Sequence, residues 1–319
     1  MNRLSHGLRL QSRKPKVRRK DMTVCIAAIY PNAISQRCIA ILTDMQRTDE
    51  STGRKSDTAY KFRWVADNAI IMGSGDLDRF DTLCSKIIPE LEKRDNLPLI
   101  EDVVNCFLWA ENLYRKEYIK RHVLWRYEAI QESLSPPESE SDTKTEKTSD
   151  FLKYAEEQTR DIEVPFSNDV IVAGFDGEHP ILYKITPQSP PDNRTERRYA
   201  IIGEGDSVAE IELDRWFLLP MQGAAEALTL FTCYKAKRRS EVIASVGNST
   251  GLVIFHHNGH IESVPYLVRR LFSEAYDKLE REIQNNEKTA HDHIAQNYEK
   301  EAGKISGQII NRTTWSKPT

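Results

Sequence analysis

Thr23-Val24-Cys25-Ile26-Ala27-Ala28-Ile29-Tyr30, followed by Pro31-Asn32 and then Arg37-Cys38-Ile39-Ala40-Ile41-Leu42-Thr43, is the stretch that decides the fold. The first run is short, uncharged and made of apolar and small residues, as suits a strand buried on both faces. Pro31-Asn32 supplies turn chemistry, and the second run reads as the returning strand.

Working outward, a polar loop is expected around Asp49–Asp57, then short strands near Tyr60–Val65 and Ala69–Met72 with Asp67-Asn68 as their turn. After Gly73-Ser74-Gly75-Asp76 the period changes from two to about 3.6. Phe80, Leu83, Cys84, Ile87, Ile88 and Leu91 then form the stripe of an amphipathic helix. Pro98 opens a second helical stretch carrying Val103, Val104, Phe107, Leu108 and Leu113. Residues 133–149 contain one apolar residue, Leu134, and read as a disordered insertion within one domain.

The second half repeats the plan. Asp169–Gly174 and Pro180–Ile185 read as a hairpin across Phe175–His179, and Tyr199–Gly203 as a further strand. Helices are expected at about Ser207–Phe217 and Met221–Arg239, the latter ending in Lys235, Lys237, Arg238 and Arg239, cations that suit the negative end of a helix dipole. Leu252–Phe255 and Gly259–Ile261 read as closing strands. Pro265 starts a last helix to about Gln284, with Tyr266, Leu267, Leu271 and Phe272 free to pack on the core or a sister subunit, the core being favoured. Residues 288–319 read as a polar C-terminal tail. This order fits an α+β protein, two sheets face to face with helices outside, over residues 23–287.

Composition sets limits. The chain has 319 residues, 39% hydrophobic, enough for a sizeable core. No apolar run approaches the roughly 20 residues of a membrane-spanning helix. Cys25, Cys38, Cys84, Cys106 and Cys233 are scattered and odd in number, which argues against a disulfide framework and for a cytoplasmic, reducing setting. Residues 1–21 carry eight Lys or Arg and one acid, Asp21, so an arm of +7 stands ahead of a body of −10, for −3 in all. Three readings of this 1–22 extension stand open: sequence ahead of a start at Met22, a removable propeptide, or a solvated basic tail serving as a transit peptide or touching nucleic acid. A basic arm alone is weak support for nucleic-acid binding, and none is expected.

Several landmarks recur in a known order. Thr23 opens the first strand directly after a methionine. Asp44 lies in Leu42-Thr43-Asp44-Met45-Gln46-Arg47-Thr48. Lys61 precedes a strand and stands fourteen positions before Gly75. Val172-Ala173-Gly174-Phe175-Asp176 spans a hairpin, and Gly203-Glu204-Gly205 precedes a helix. In these features the chain resembles the β-type subunits of the proteasome and the bacterial peptidase subunit that partners an unfoldase, over roughly residues 22–265. The resemblance implies a four-layer αββα sandwich of the N-terminal-nucleophile (Ntn) hydrolase kind. It also implies a threonine protease without metal or organic cofactor, a peptide or unfolded-protein substrate, and a homo-oligomer of rings or stacked assemblies, with an unfoldase as possible partner.

In such a site an N-terminal threonine unites nucleophile and base: the Thr23 hydroxyl attacks a carbonyl while its free α-amine takes the proton. An α-amine has a pKa of roughly 7.7–8.0, and a nearby cation favours its neutral form. Lys61 is the candidate cation, Asp44 the carboxylate that holds it, and the Gly75 N–H the oxyanion donor. Ser249 matches the serine of the family's late Asp-x-x-Ser-Gly-Gly segment, here Val246-Gly247-Asn248-Ser249-Thr250-Gly251. Plainer roles exist for each: Thr23 as a strand residue, Asp44 as a turn cap, Lys61 as a solvated charge, Gly75 as a tight turn, and Cys25 as a small buried hydrophobe or a pocket lining. Glu204 replaces the family's serine between two glycines, Val246 replaces the late aspartate, and 22 residues precede Thr23. These departures carry an alternative, a catalytically inactive scaffold or peptide-binding subunit. His256, His257 and His260 surround a turn at Asn258-Gly259, but neighbours on a hairpin face opposite sides, which argues against a shared metal.

Overall fold

The uncharged run after Thr23 forms β1 (Val24–Pro31) and its return forms β2 (Arg37–Asp44), paired antiparallel with Ala27 opposite Ile41. Every residue from Val24 to Tyr30 is buried, as a strand covered on both faces requires. The computed structural model describes residues 24–31, 36–45, 47–48, 55–56, 61–121, 168–187, 189–217, 225–243, 246 and 249–313. Thr23, the arm at 1–22 and the insertion at 133–149 lie outside the described residues.

The protein is α+β, with two five-stranded antiparallel sheets and five helices among the described residues. The first sheet has the order β10-β1-β2-β11-β12, with β10 at Tyr199–Gly203, β11 at Thr250–His256 and β12 at Ile261–Ser263. The second has the order β5-β6-β7-β8-β9: Phe62–Ala66, Ala69–Gly73, Val170–Asp176, His179–Ile185 and Asp192–Asn193. A short ribbon pairs β3 (Arg47–Thr48) with β4 (Lys55–Ser56) around the polar loop.

Side chains alternate along each strand, and the alternation sorts them into two cores. Cys25, Ala27 and Ile29 of β1, Ile39 and Ile41 of β2, and Val253 and Phe255 of β11 share a buried cluster with Ile70, Met72, Ile171, Ala173 and Phe175 of the second sheet. The intervening residues of that sheet, Ala69, Ile71, Val170 and Val172, point the other way. They meet Phe80, Leu83 and Ile87 of α1 (Leu77–Glu92) and Val103 and Phe107 of α2 (Ile100–Ile119). On the first sheet, α3 (Asp206–Phe217) lies against β10, and α4 (Ala225–Ser240) against β1 and β2. Buried Glu212 of α3 ties these two helices together by accepting from Arg239 and from Lys235 at 2.6 Å.

Two boundaries differ from expectation. The second-half hairpin turns over Gly177-Glu178 alone, so Phe175 and Asp176 belong to β7. Phe175 is fully buried in the layer between the sheets, and its apolar bulk extends the strand. Asp176 accepts from the N–H of Ile100 at 2.9 Å and so caps α2. The last helix, expected to end near Gln284, runs as α5 from Tyr266 to Thr313. Past Leu279 the apolar stripe fades, but Glu, Lys, Ala and Gln remain good helix formers without a proline to stop them. Tyr266, Leu267 and Leu271 are exposed. Residues from Val264 onward form a compact unit apart from the preceding chain. No helix among the described residues is long and apolar enough to cross a membrane.

Gly174 is where β7, the β5–β6 turn and α2 come closest. A Cβ there would stand 2.3 Å from the Asn68 carbonyl oxygen and 2.4 Å from Ile100 Cδ1. Because Asn68 is itself held, donating to the carbonyls of Pro98 and Phe175 at 2.8 Å each, it cannot yield cheaply. Gly174→Ala is expected to lower the unfolding free energy by about 1–3 kcal/mol through overpacking, read from the midpoint of a urea titration.

Candidate active site

One end of the first sheet gathers several of the residues singled out from sequence. Val24 pairs with Gly203, Cys25 with Thr43, and Asp44 with Thr250. Beyond the last pair the N–H of Met45 donates to the Ser249 carbonyl at 3.1 Å, which sets Ser249 beside Asp44. Glu204, exposed at a turn, follows the residue opposite Val24.

The second sheet supplies the counter-charge. Lys61 stands immediately before β5, with its carbonyl accepting from the N–H of Gly73 at 3.0 Å. Its Nζ lies 3.7 Å from Oδ2 of Asp44, and the two side chains are 1% and 0% exposed. This excludes a solvated charge for Lys61. Water is withdrawn from both ions, so each depends on the other. Thr43, also buried, has a hydroxyl with no hydrogen-bond partner among the described residues.

Cys25 lies on the inner face next to this pair. Its Sγ points to the Gly73 carbonyl at 3.8 Å, and burial pushes the thiol up to about 12, with Lys61 opposing and Asp44 adding to the shift. The thiol is neutral and fully enclosed, a small buried hydrophobe rather than part of an open pocket wall.

Gly75 occupies the turn between β6 and α1 with φ of +98°, a conformation that side chains rarely adopt. Its neighbours are locked. Ser74 N–H donates to Asp169 O at 3.0 Å, Asp76 N–H donates to Asn168 Oδ1 at 3.2 Å, and Asp76 caps α1 by accepting from the N–H of Arg79. The N–H of Gly75 itself meets no acceptor among the described residues. A fixed backbone donor at a helix N-terminus is a suitable partner for developing negative charge.

Sequence reasoning missed Lys237. It was expected to serve the end of α4 as one of four terminal cations, but it is fully buried, with Nζ 2.6 Å from Oε1 of Glu241. Burial lowers its pKa, while Glu241 and then Asp44 act to raise it, which places Lys237 within electrostatic reach of Asp44. The signal was present: Leu230, Cys233, Lys237 and Ser240 recur at helical spacing, and all are buried. Among the described residues no group of three His, Cys, Asp or Glu has the geometry to hold a metal ion.

The Asp44–Lys61 pair makes a thermodynamic prediction. Asp44→Asn strands the Lys61 ammonium, and the protein is expected to lose about 3–5 kcal/mol of stability. Replacing both partners, Asp44→Asn with Lys61→Met, is expected to recover most of the loss, as a double-mutant cycle in guanidinium measures.

No protein-family model matches this chain, and no curated protein matches it.

Proposed function

We propose that the protein is an Ntn hydrolase of the proteasome type, a four-layer αββα sandwich that cleaves peptide amide bonds with Thr23 as nucleophile. The observation that carries this reading is the buried Asp44–Lys61 ion pair, joined across the two sheets at the end of β1 where the chain leaves Thr23. The layering is supported by the shared core of the two sheets, with α1 and α2 on one and α3 and α4 on the other.

In this mechanism the hydroxyl of an N-terminal Thr23 attacks the substrate carbonyl, and its own α-amine accepts the hydroxyl proton. Lys61, paired with Asp44, favours the neutral amine through its field. The tetrahedral oxyanion takes the N–H of Gly75. Collapse expels the leaving amine, which receives the proton back, and leaves an ester on Thr23. A water activated by the same α-amine then hydrolyses that ester. Ser249, next to Asp44, completes the wall of the site. The family likeness adds a cytoplasmic setting and self-association to the proposal.

A scaffold without catalysis is the second reading, favoured by Glu204 in place of the family's serine and by Val246, buried, in place of its late aspartate. A chain beginning at Thr23 with a free α-amine discriminates the two. Such a chain is expected to hydrolyse fluorogenic peptides and to be labelled at Thr23 by an electrophile that traps N-terminal nucleophiles. Thr23→Ala is expected to lower the hydrolysis rate by at least about 100-fold, the low end of acid–base catalysis. Unchanged amidase activity in pure Thr23→Ala protein overturns the enzyme reading, and an unlabelled, inactive parent chain gives the lead to the scaffold.

A further inference from the structure

One row of the first sheet runs Tyr30–Cys38–His256 across β1, β2 and β11, each opposite the next in register. Residues opposite one another in a ladder share a face. This face looks away from the inter-sheet layer, because the adjacent Ile39 and Phe255 belong to that layer. Cys38 Sγ lies 3.4 Å from His256 Nδ1. Across the ring, His256 Nε2 lies 3.6 Å from Oε2 of Glu262, which stands opposite Ile254, two residues before His256. At that separation Glu262 is an electrostatic neighbour of the ring, not a hydrogen-bond acceptor: His256 Nε2 is buried without a hydrogen-bond partner among the described residues.

Tyr30 adds an independent observation. Its hydroxyl is buried with no hydrogen-bond partner among the described residues. Burial first, and then charge at Cys38, Glu226, Cys233 and Glu262, hold its proton on well above the usual phenol range. Tyr30 thus brings an unsatisfied hydroxyl to the same strand row as Cys38 and His256. Among the described residues no histidine meets the sulfur of another cysteine. Burial pushes Cys25, Cys84 and Cys233 up to about 12 and raises Cys106, and none of the five forms a disulfide.

We propose that Cys38 is a modification site, a thiol deprotonated by His256 that exchanges with low-molecular-weight disulfides. The S–H proton passes to Nδ1 of His256, and the thiolate attacks one sulfur of the disulfide. The S–S bond of the reagent breaks as the bond to Cys38 forms. The departing thiolate takes the proton from the imidazolium, so Cys38 is oxidised to a mixed disulfide and half of the reagent is reduced to thiol. Glu262 steadies the imidazolium, and the Tyr30 O–H donates to the transient thiolate. His260, stacked on His256 with ring centroids 5.8 Å apart, and Glu226 and Cys233 of α4 complete the ionisable surroundings. Cys38 is 1% exposed, but it follows exposed Gln36 and Arg37 at the start of its strand, and His256 is itself 22% exposed, so local opening at a strand end admits the reagent. Asp44 lies six positions further along β2, about 20 Å of extended chain, and the proposal stands independently of Thr23.

The test uses the full chain and oxidised glutathione, with each cysteine followed by peptide mass mapping. Cys38 is expected to acquire the adduct at least about tenfold faster than any other cysteine, and His256→Gln to slow it about tenfold. Between pH 6 and 8 the variant's rate is expected to climb more steeply with pH than the parent's, because its thiol has lost the neighbouring base. Faster modification of another cysteine, or an unchanged rate and pH profile in folded His256→Gln protein, overturns the proposal. If His256→Gln does not fold, Glu262→Gln, at a 54% exposed position, decides: a slower Cys38 reaction at unchanged melting temperature supports the proposal, and an unchanged rate overturns it.

Discussion

The ammonium group of Lys61 is buried against the end of β2, and a charge there is tolerable only against an opposite one. Asp44 meets it from the other sheet, 3.7 Å away, with neither side chain reaching water. That requirement ties together parts of the chain that share no local structure. The end of β2 must meet the start of β5, which fixes how the two sheets align at this edge. Cys25 and Thr43 must pack around the pair as small neighbours. Lys237 on α4 adds a second buried cation with its own carboxylate, Glu241, so charge in this region is balanced pair by pair.

Strand β2 carries polar chemistry at both ends and a purely apolar middle. Ile39, Ala40, Ile41 and Leu42 are all buried and hold the strand at the centre of its sheet. Asp44 at one end and Cys38 at the other therefore sit on one rigid element, each positioned by ladder partners rather than by loops. Rigid placement of this kind is what a proton acceptor or an ion pair needs, because both fail when distances drift by an ångström. The loop at Gly75 reaches the same end by different means. There, hydrogen bonds on both flanking residues fix one backbone N–H against the dipole of α1.

Much of the architecture was legible in the residues. The alternation in β6 and β7, the 3.6-residue stripe of α1 and the uncharged run of β1 are each imposed by the need to hide apolar surface, and each leaves a periodic trace. Where that trace is absent, reading failed. The polar extension of α5 to Thr313 has helix propensity but no stripe, and Phe175 and Asp176 resemble a turn only because a glycine follows them.

By itself the sequence determined the longer strands, the helices that carry an apolar stripe and the order of Asp44, Lys61 and Gly75, since those depend on local periodicity and spacing. Only the tertiary structure decided that Asp44 and Lys61 are a buried pair, that Lys237 lies inside, and that Cys38, His256 and Glu262 form one chain of contacts. Burial and cross-strand register bring together residues as far apart as 38 and 256. Periodicity along a chain cannot report such contacts, because they arise from which strands pair and which faces meet.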